Sequence, residues 1–383
     1  MGVVEEGKLG VAANLPTVRS TGVTLDDIRE IFQRQLDRKL HPGAALAVYQ
    51  RDKLVLDLWA GFADWPRERP VERDTMFVLF SSTKPLASMS VWLCADRGLL
   101  DMDKPIAEYW PAFAKNGKER VTPRMVLAHT GGFPQWPPQL KWDDLQDWDK
   151  VVAAMEDAVA KHEPGTTAAY HSFNHGWVCA ELVRIVDGRP LPQFFREEIA
   201  GPLGMPDTYI GPPKELLPRV AKVHPYPDIL AEHVIFAEKF NRPEILTANI
   251  PASSGVSTAR DMARFYATIV CGGAIDGKRI WSEETARACT EIVFEGHDSI
   301  QEIFSRRSAG FVIGGTPKQP WRMGSNTTRH SFGHGGAGTS ICWGDKELGV
   351  AMVFIPNGYH GQEVMVSRCR ELSDAVRAFA GGT

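Results

Sequence analysis

Apolar residues recur every three or four positions near both ends of the chain, which is the spacing of one buried helix face. Near the N-terminus the members of this pattern are Leu25, Ile28, Phe32 and Leu36. Near the C-terminus they are Met365, Cys369, Leu372, Val376 and Phe379. Thr24 and Asp27 stand at the start of the first pattern in the arrangement of a capping box. The sequence therefore predicts one amphipathic helix at each end of the chain.

Short runs rich in β-forming residues lie next to these helices. Residues 44–50 (AALAVYQ) and 53–61 (KLVLDLWAG) are separated by two polar residues, a spacing that favours an antiparallel hairpin. Residues 340–345 (SICWGD) and 348–357 (LGVAMVFIPN) predict a second hairpin. Strand signals are therefore concentrated at the two ends of the chain.

The long middle segment reads mainly as helices and loops broken by proline and glycine. We therefore expect an α/β fold of the α+β type, with one antiparallel sheet built from both chain ends and covered by the terminal helices. Residues 1–80 and 301–383 form this sheet lobe in the prediction, and residues 81–300 form a mainly helical lobe. A cleft between two lobes is the natural location for an active site.

Composition narrows the function classes. The 383 residues are 43% hydrophobic and 23% charged with a net charge of -4, which gives no electrostatic reason to expect a nucleic-acid or membrane partner. No apolar run is long enough to span a bilayer. The N-terminal stretch MGVVEEGKLGVAANLP lacks the form of a secretory signal, and six widely spaced cysteines favour reduced thiols over disulfides or zinc ligands. We expect a soluble, cytoplasmic protein without a metal or other cofactor.

The first candidate for chemistry is Ser81-x-x-Lys84 in the stretch LFSSTKPLAS. A helix places residues three apart on one face, and Pro85 fits a first helical turn, where unpaired N–H groups stabilise an oxyanion. Ser82 does not fit this register, because Pro85 lies three residues after it. Ser81 is therefore a candidate nucleophile and Lys84 a candidate base, if burial lowers its pKa. Taken alone, the pattern also fits a capping serine followed by a solvated lysine.

The second element, Tyr170-x-Ser172, follows a Pro-Gly turn and precedes an apolar helical stretch. A phenol beside an ammonium group ionises more easily and can take up a serine proton. His171 and His175 are four residues apart, but no third ligand is evident, so they favour packing or surface roles over a metal site. We interpret His129 in LAHTGG as part of a structural turn rather than as a general base.

The third element is His334-Gly335-Gly336, next to a predicted strand. Glycines let an edge strand approach a bound substrate closely, and the N–H of Ala337 can then pair with that of Ser81 as an oxyanion hole. The alternative is a glycine-rich hairpin turn.

In chain order these elements resemble the signatures of the serine β-lactamase and penicillin-binding protein superfamily: Ser-x-x-Lys, then Ser-Asp-Asn or Tyr-x-Asn, then Lys-Thr-Gly. Other stretches that resemble this superfamily are VLAHTGGFP at 126–134, EPG at 163–165, GPLGMPDTY at 201–209 and PASSGVSTARDMARFY at 251–266. The resemblance runs over nearly the whole chain and implies a β-lactamase-like fold.

Two departures refine the resemblance. Ser172 stands where the Tyr-x-Asn of class C β-lactamases has asparagine, and His334 stands where Lys-Thr-Gly has lysine. The missing lysine commonly meets the carboxylate of a β-lactam, and the missing amide can hold an acylamino group. The chain therefore looks more like the family VIII carboxylesterases and the related acyltransferases of this fold.

The resemblance implies that Ser81 is the nucleophile, that Lys84 and Tyr170 handle the proton, and that the N–H groups of Ser81 and Ala337 form the oxyanion hole. The candidate substrate contacts are Ser172, His334, Gly335, Gly336 and Trp136. Trp136 lies in an irregular stretch with two other tryptophans, which either line an acyl pocket or anchor the loop.

Three kinds of function stay open at this point. A carboxylesterase would take a small ester as its substrate and release the acid from Ser81 with water. The same site would also serve β-lactam or D-amino-acid peptide hydrolysis, or acyl transfer to an alcohol or amine. A penicillin-binding sensor or pseudoenzyme would be acylated once or never. The oligomeric state is left open.

Overall fold

The centre of the fold is a sheet assembled from both ends of the chain, in a computed structural model that describes residues 9–12, 22–316 and 322–381. The sequence predicts that the N-terminal stretch is not a secretory signal. Most of this stretch lies outside the described residues. In chain order the strands are β1 (Gly10–Val11), β2 (Gly43–Gln50), β3 (Lys53–Asp64), β4 (Arg69–Pro70), β5 (Phe77–Val78), β6 (Tyr209–Ile210), β7 (His224–Pro225), β8 (Gly255–Ser257), β9 (Ala274–Ile275), β10 (Lys278–Arg279), β11 (Phe294–Asp298), β12 (Ile303–Arg307), β13 (Val312–Ile313), β14 (Ser331–Gly335), β15 (Ile341–Asp345), β16 (Val350–Pro356) and β17 (Gly358–Tyr359).

Helices cover the sheet and build most of the middle of the chain. In chain order they are α1 (Leu25–Asp37), α2 (Lys84–Asp96), α3 (Pro123–Leu127), α4 (Trp148–Asp157), α5 (Asn174–Asp187), α6 (Leu191–Phe195), α7 (Gly201–Leu203), α8 (Ala231–Lys239), α9 (Pro243–Leu246), α10 (Ala259–Val270), α11 (Glu283–Ala288) and α12 (Gln362–Phe379). Within the described ranges, none of them combines the length and the apolar composition needed to cross a bilayer.

The main sheet is antiparallel and runs in the order β1-β3-β2-β16-β15-β14-β13-β12-β11, with β4 paired to β3. The two predicted hairpins are confirmed as β2 with β3 and β15 with β16. β2 also pairs with β16, which joins the two chain ends inside the sheet. The α+β architecture expected from the sequence is therefore confirmed.

The two terminal helices pack on one face of this sheet, as predicted. α1 begins at a capping box, in which the side chains of Thr24 and Asp27 each accept the backbone N–H of the other. Leu46 and Val48 of β2 share a core with the terminal helices, whereas Ala45 and Ala47 belong to the core on the opposite face. This alternation is the two-residue period of a strand.

The structure differs from the predicted division into lobes in two ways. α10 lies within the segment expected to form the helical lobe, yet it packs on β2, β15 and β16. The sheet also includes β11, so its edge begins at Phe294 and the expected boundary at residue 301 separates two paired strands. The sequence pattern does not mark β11 and β12, because FEGHD and IFSRR are too polar for a buried strand. The division into lobes stays a prediction, with this difference at its edge.

A buried ion pair ties α12 to the sheet. Arg377 Nη1 lies 3.0 Å from Asp345 Oδ2, and Ser331 donates to the same oxygen at 2.6 Å. Arg377→Met would leave this carboxylate buried without its cation, so we expect the free energy of unfolding to fall by about 3 to 5 kcal/mol in urea titrations. Arg370→Met removes an exposed arginine from the same helix and should change it by less than about 0.5 kcal/mol. Equal stabilities of the two variants would contradict this role.

Candidate active site

Ser81 lies in a tight turn that leads directly into α2. Residues 80–83 form one 3-10 turn, and Lys84 is the first residue of the helix. Phe80 has a φ of 47°, in the left-handed region that a bulky residue rarely adopts. Thr83 fixes the turn, because its hydroxyl donates to the carbonyl of Phe80 at 2.6 Å and accepts the N–H of Gly255 at 3.0 Å. Backbone strain that is held in this way is concentrated at functional sites.

Lys84 is fully buried, and no carboxylate among the described residues pairs with its ammonium group. Its Nζ donates to Ser81 Oγ at 3.2 Å, to the carbonyl of Ser172 at 2.7 Å and to that of Ala252 at 3.3 Å. Nζ also lies 4.9 Å from the centre of the Tyr170 ring. Burial lowers the pKa of Lys84, although the nearby Tyr170 acts in the opposite direction. An amine that gives up its proton more easily than usual therefore lies beside the Ser81 hydroxyl.

Tyr170 lies on the loop before α5, between histidine rings. The ring centre of His129 is 4.6 Å away and that of His334 is 6.2 Å away. Burial holds the pKa of both imidazoles well below the ordinary value, so both are neutral at physiological pH. The cations that face the ring are Lys84 and Arg307, whose guanidinium carbon lies 5.4 Å from the ring centre.

His129, His171 and His175 form a buried group behind Tyr170. His129 Nδ1 accepts the backbone N–H of His171 at 3.0 Å, and His175 Nε2 lies 3.2 Å from Ser88 Oγ. Burial lowers the pKa of His171 to about 3, and that of the other two well below its ordinary value. These contacts give the three histidines packing roles, and among the described residues no cluster of side chains suited to a metal ion is found.

The end of β14 lies against the 3-10 turn before α2. Ser82 Oγ donates to the carbonyl of His334 at 3.1 Å. A Cβ on Gly336 would come within 2.5 Å of the Leu79 carbonyl oxygen, so glycine is required for the two backbones to approach this closely. Ala337, the next residue, lies at the edge of the cleft that the turn and the strand enclose.

A cavity of about 410 Å³ occupies this cleft. Its lining includes five residues that the sequence singles out: Ser81, Tyr170, His334, Gly335 and Ala337. Lys84 is buried beneath it, in contact with Ser81. Three sequence elements that are far apart along the chain therefore meet at one cavity.

The remaining candidates do not line this cavity: Gly336, Ser172 and Trp136. Ser172 contributes its backbone carbonyl to Lys84, while its side chain is exposed. Trp136 stacks on Trp142 with ring centres 5.3 Å apart and donates from Nε1 to the carbonyl of Leu140 at 2.8 Å, which anchors its loop. Substrate contacts by these residues stay predictions.

The cavity is also lined by two arginines that the sequence patterns do not identify, Arg307 of β12 and Arg322 before β14. Arg322 is half-buried and donates to the carbonyls of Gly336 at 2.6 Å and Ser340 at 3.2 Å. No acidic side chain is among the described residues of the lining, but Arg307 pairs with buried Asp298 at 2.8 Å just outside it. The pair of adjacent arginines in IFSRRSAGF is the one sequence signal that marks Arg307.

A family model described as Beta-lactamase matches residues 28–375, which is most of the chain. The chain belongs to the beta-lactamase family. Its fold is the β-lactamase-like fold that the motifs imply, and it is a serine hydrolase of the beta-lactamase and penicillin-binding protein superfamily.

Relatives of this beta-lactamase family member include proteins named as esterases. Esterase/beta-lactamase LipL of Mycobacterium tuberculosis is 34% identical over 346 residues, which cover 82% of this chain and 77% of LipL. A penicillin-binding protein homolog from Caulobacter crescentus superposes with a TM-score of 0.82 at 30% identity, covering 94% of this chain and 99% of that protein. A family VIII carboxylesterase superposes with a TM-score of 0.82 at 29% identity, covering 95% of this chain and 100% of that protein.

The buried amine makes the stability of the fold depend on pH. Because the pKa of Lys84 is lower in the folded chain than in the unfolded chain, the unfolded chain binds more protons between these two values, and stability rises with pH in this window. We expect the unfolding free energy of the wild type to increase relative to that of Lys84→Met as the pH rises towards the ordinary lysine pKa of about 10.4. Lys39→Met, at an exposed position, is the matched control. A difference between wild type and Lys84→Met that is constant with pH would contradict the lowered pKa.

Proposed function

We propose that this protein is a carboxylesterase that cleaves small carboxylic esters through an acyl-enzyme on Ser81, with Lys84 and Tyr170 as the proton-transfer pair. The observation that supports this most directly is the 3.2 Å contact between Lys84 Nζ and Ser81 Oγ, in surroundings that lower the pKa of the amine. A neutral amine at this distance can accept the serine proton as Oγ attacks the acyl carbon.

In the first half of the reaction, Ser81 Oγ bonds to the carbonyl carbon of the ester and its proton passes to the pair of Lys84 and Tyr170. The negative charge that develops on the carbonyl oxygen is stabilised by the N–H groups of Ser81 and Ala337, two residues that border the cavity. The pair then donates the proton to the leaving alkoxide as its bond to carbon breaks. Water repeats these steps on acylated Ser81 and releases the carboxylic acid.

The shape and polarity of the cavity favour a small ester. Its apolar lining includes Ile303, Val312, Ile341, Met365 and Val366, and its volume of about 410 Å³ is modest for a ligand pocket. His334 stands at the position of the motif lysine, and burial holds its pKa well below the ordinary value. A neutral imidazole at this position attracts a substrate carboxylate less than an ammonium group does.

A second candidate is β-lactam hydrolysis at the same serine. Arg322 lines the cavity, and no carboxylate among the described residues forms an ion pair with it. A guanidinium group binds carboxylates well, so Arg322 can substitute for the missing motif lysine. LipL, whose name includes both esterase and beta-lactamase, is similar to most of the chain.

We further propose that the protein works in the reducing cytoplasm. All six cysteines are free thiols, and five of them are buried. Burial raises the pKa of Cys94, Cys289 and Cys342 to about 12, so these thiols are unreactive members of the core. A chain whose thiols are all unpaired suits a compartment in which thiols stay reduced.

Ser81→Ala should lower kcat/KM for p-nitrophenyl butyrate by about 10³-fold or more, because it removes the proposed nucleophile, whose Oγ lies 3.2 Å from Lys84 Nζ at the cavity. Ser82→Ala is the matched control. The Ser82 hydroxyl bonds to the His334 carbonyl and lies 3.2 Å from Ser340 Oγ, so its loss should change kcat/KM by less than about tenfold. Equal rates for wild type and Ser81→Ala would contradict the proposed nucleophile.

The esterase and β-lactamase assignments predict opposite substrate preferences. We expect kcat/KM for p-nitrophenyl butyrate to exceed that for nitrocefin, and Arg322→Gln to lower nitrocefin turnover by about tenfold while the ester rate stays within about threefold. Faster turnover of nitrocefin than of the ester would favour the β-lactamase. A stoichiometric adduct with penicillin and no turnover of either substrate would indicate a sensor instead.

A further inference from the structure

A buried ion pair lies at the edge of the sheet next to Tyr170. Asp298 ends β11 and Arg307 ends β12, and Arg307 Nη2 lies 2.8 Å from Asp298 Oδ2. Both side chains are almost completely buried, with exposed fractions of 0% for Asp298 and 2% for Arg307. Replacing such a pair by apolar residues is often neutral for stability, so its presence beside a reaction centre needs another explanation.

Asp298 holds the backbone on which Tyr170 lies. Its Oδ1 accepts the N–H of Tyr170 at 3.2 Å, so this carboxylate uses one oxygen for Tyr170 and the other for Arg307. Asp298 and Ala168 also form a parallel β-bridge, in which Ser299 donates to the Ala168 carbonyl at 3.0 Å. The hairpin of β11 and β12 is therefore joined to the Tyr170 loop by backbone and side-chain bonds together.

The geometry favours a charged carboxylate at this point. Burial alone raises the pKa of Asp298, but the charge of Arg307 and the N–H groups of Gln301 and Ile300 hold it below its ordinary value. Both of these amides donate to Oδ1 at 3.0 Å. Hydrogen bonds to an ionised acceptor are stronger than those to a neutral one, so the bond to the Tyr170 N–H is a firm restraint.

We propose that Asp298, paired with Arg307, is a positioning residue for Tyr170: it fixes the tyrosine against Lys84 from the edge strand of the sheet and does not touch the substrate. Asp298 is absent from the lining of the cavity, which supports an indirect role. The inference rests on the proposed function, because it assigns no task to Asp298 unless Tyr170 takes part in proton transfer.

Removing this restraint should lower kcat with little change in KM. A displacement of about 1 Å at a reacting group can cost about 100-fold in rate, so we expect a fall of about 100-fold in kcat for Asp298→Ala and a KM within about threefold of wild type. Asp298→Asn keeps an oxygen that can accept the same N–H groups, so it should restore kcat to within about tenfold of wild type. Asp298→Asn also tests the inference if the alanine variant does not fold.

A matched control lies on the same hairpin. Glu295 of β11 accepts a hydrogen bond from Arg306 of β12 at 2.9 Å, and no contact joins it to Tyr170. Glu295→Ala therefore removes an interstrand ion pair of the same hairpin, at a more exposed position, without touching the tyrosine loop. Its kcat should stay within about twofold of wild type. If Glu295→Ala lowers kcat as much as Asp298→Ala does, the inference is overturned. Any damage to the hairpin would then be enough to lower kcat.

A double-mutant cycle with Tyr170→Phe separates positioning from general damage. If Asp298 acts through the tyrosine, adding Asp298→Ala to the Tyr170→Phe variant should lower the kcat of that variant by less than about threefold. Full loss in both backgrounds would overturn the inference, as would an unchanged kcat for Asp298→Ala. Failure of the proposed function gives a different result from failure of this inference. If Tyr170 takes no part in proton transfer, Tyr170→Phe alone leaves kcat unchanged.

Discussion

The burial of Lys84 without a carboxylate partner is the constraint on which the rest of the site depends. A buried ammonium group costs free energy, and here its acceptors include the Ser81 hydroxyl and two backbone carbonyls but no carboxylate among the described residues. A fold selected for stability alone would place an apolar residue there, whereas an amine that easily becomes neutral suits a base beside a nucleophile. The neutral histidines behind Tyr170 fit the same requirement, because a cationic imidazole there would be repelled by Lys84 and Arg307.

The fold meets this constraint by bringing three backbone segments together. The 3-10 turn before α2 carries Ser81, and α2 begins at Lys84. The loop before α5 brings Tyr170, and the end of β14 closes the cleft. Close backbone approach at Gly336 and the strained turn at Phe80 set the distance between strand and helix. β11 and β12, at the edge of the sheet, contact the tyrosine loop, so the geometry of the site also depends on this edge.

The sequence predicts those parts of the molecule whose signals are local. β2, β3, β15 and β16 have strong strand patterns, and the terminal helices have clear periodicity, so the sheet and its covering helices could be anticipated. The pattern of α10 shows that one face is buried but not that the sheet buries it. Ser81, Tyr170 and Ala337 lie in short motifs with a chemical rationale. Asp298 has no motif, because its contact with Tyr170 joins residues 128 positions apart and exists only once the hairpin is in place.

Direct mapping of the acyl-enzyme tests the central claim. Wild type and Lys84→Met are mixed with p-nitrophenyl acetate, quenched in acid within the first turnover and digested, and the acetylated peptide is identified by mass spectrometry. The account predicts one acetyl group per wild-type chain, on Ser81, and almost none on the Lys84→Met chain, because the serine then lacks its base. Acetylation of another residue, or equal labelling of Ser81 in both proteins, would contradict it.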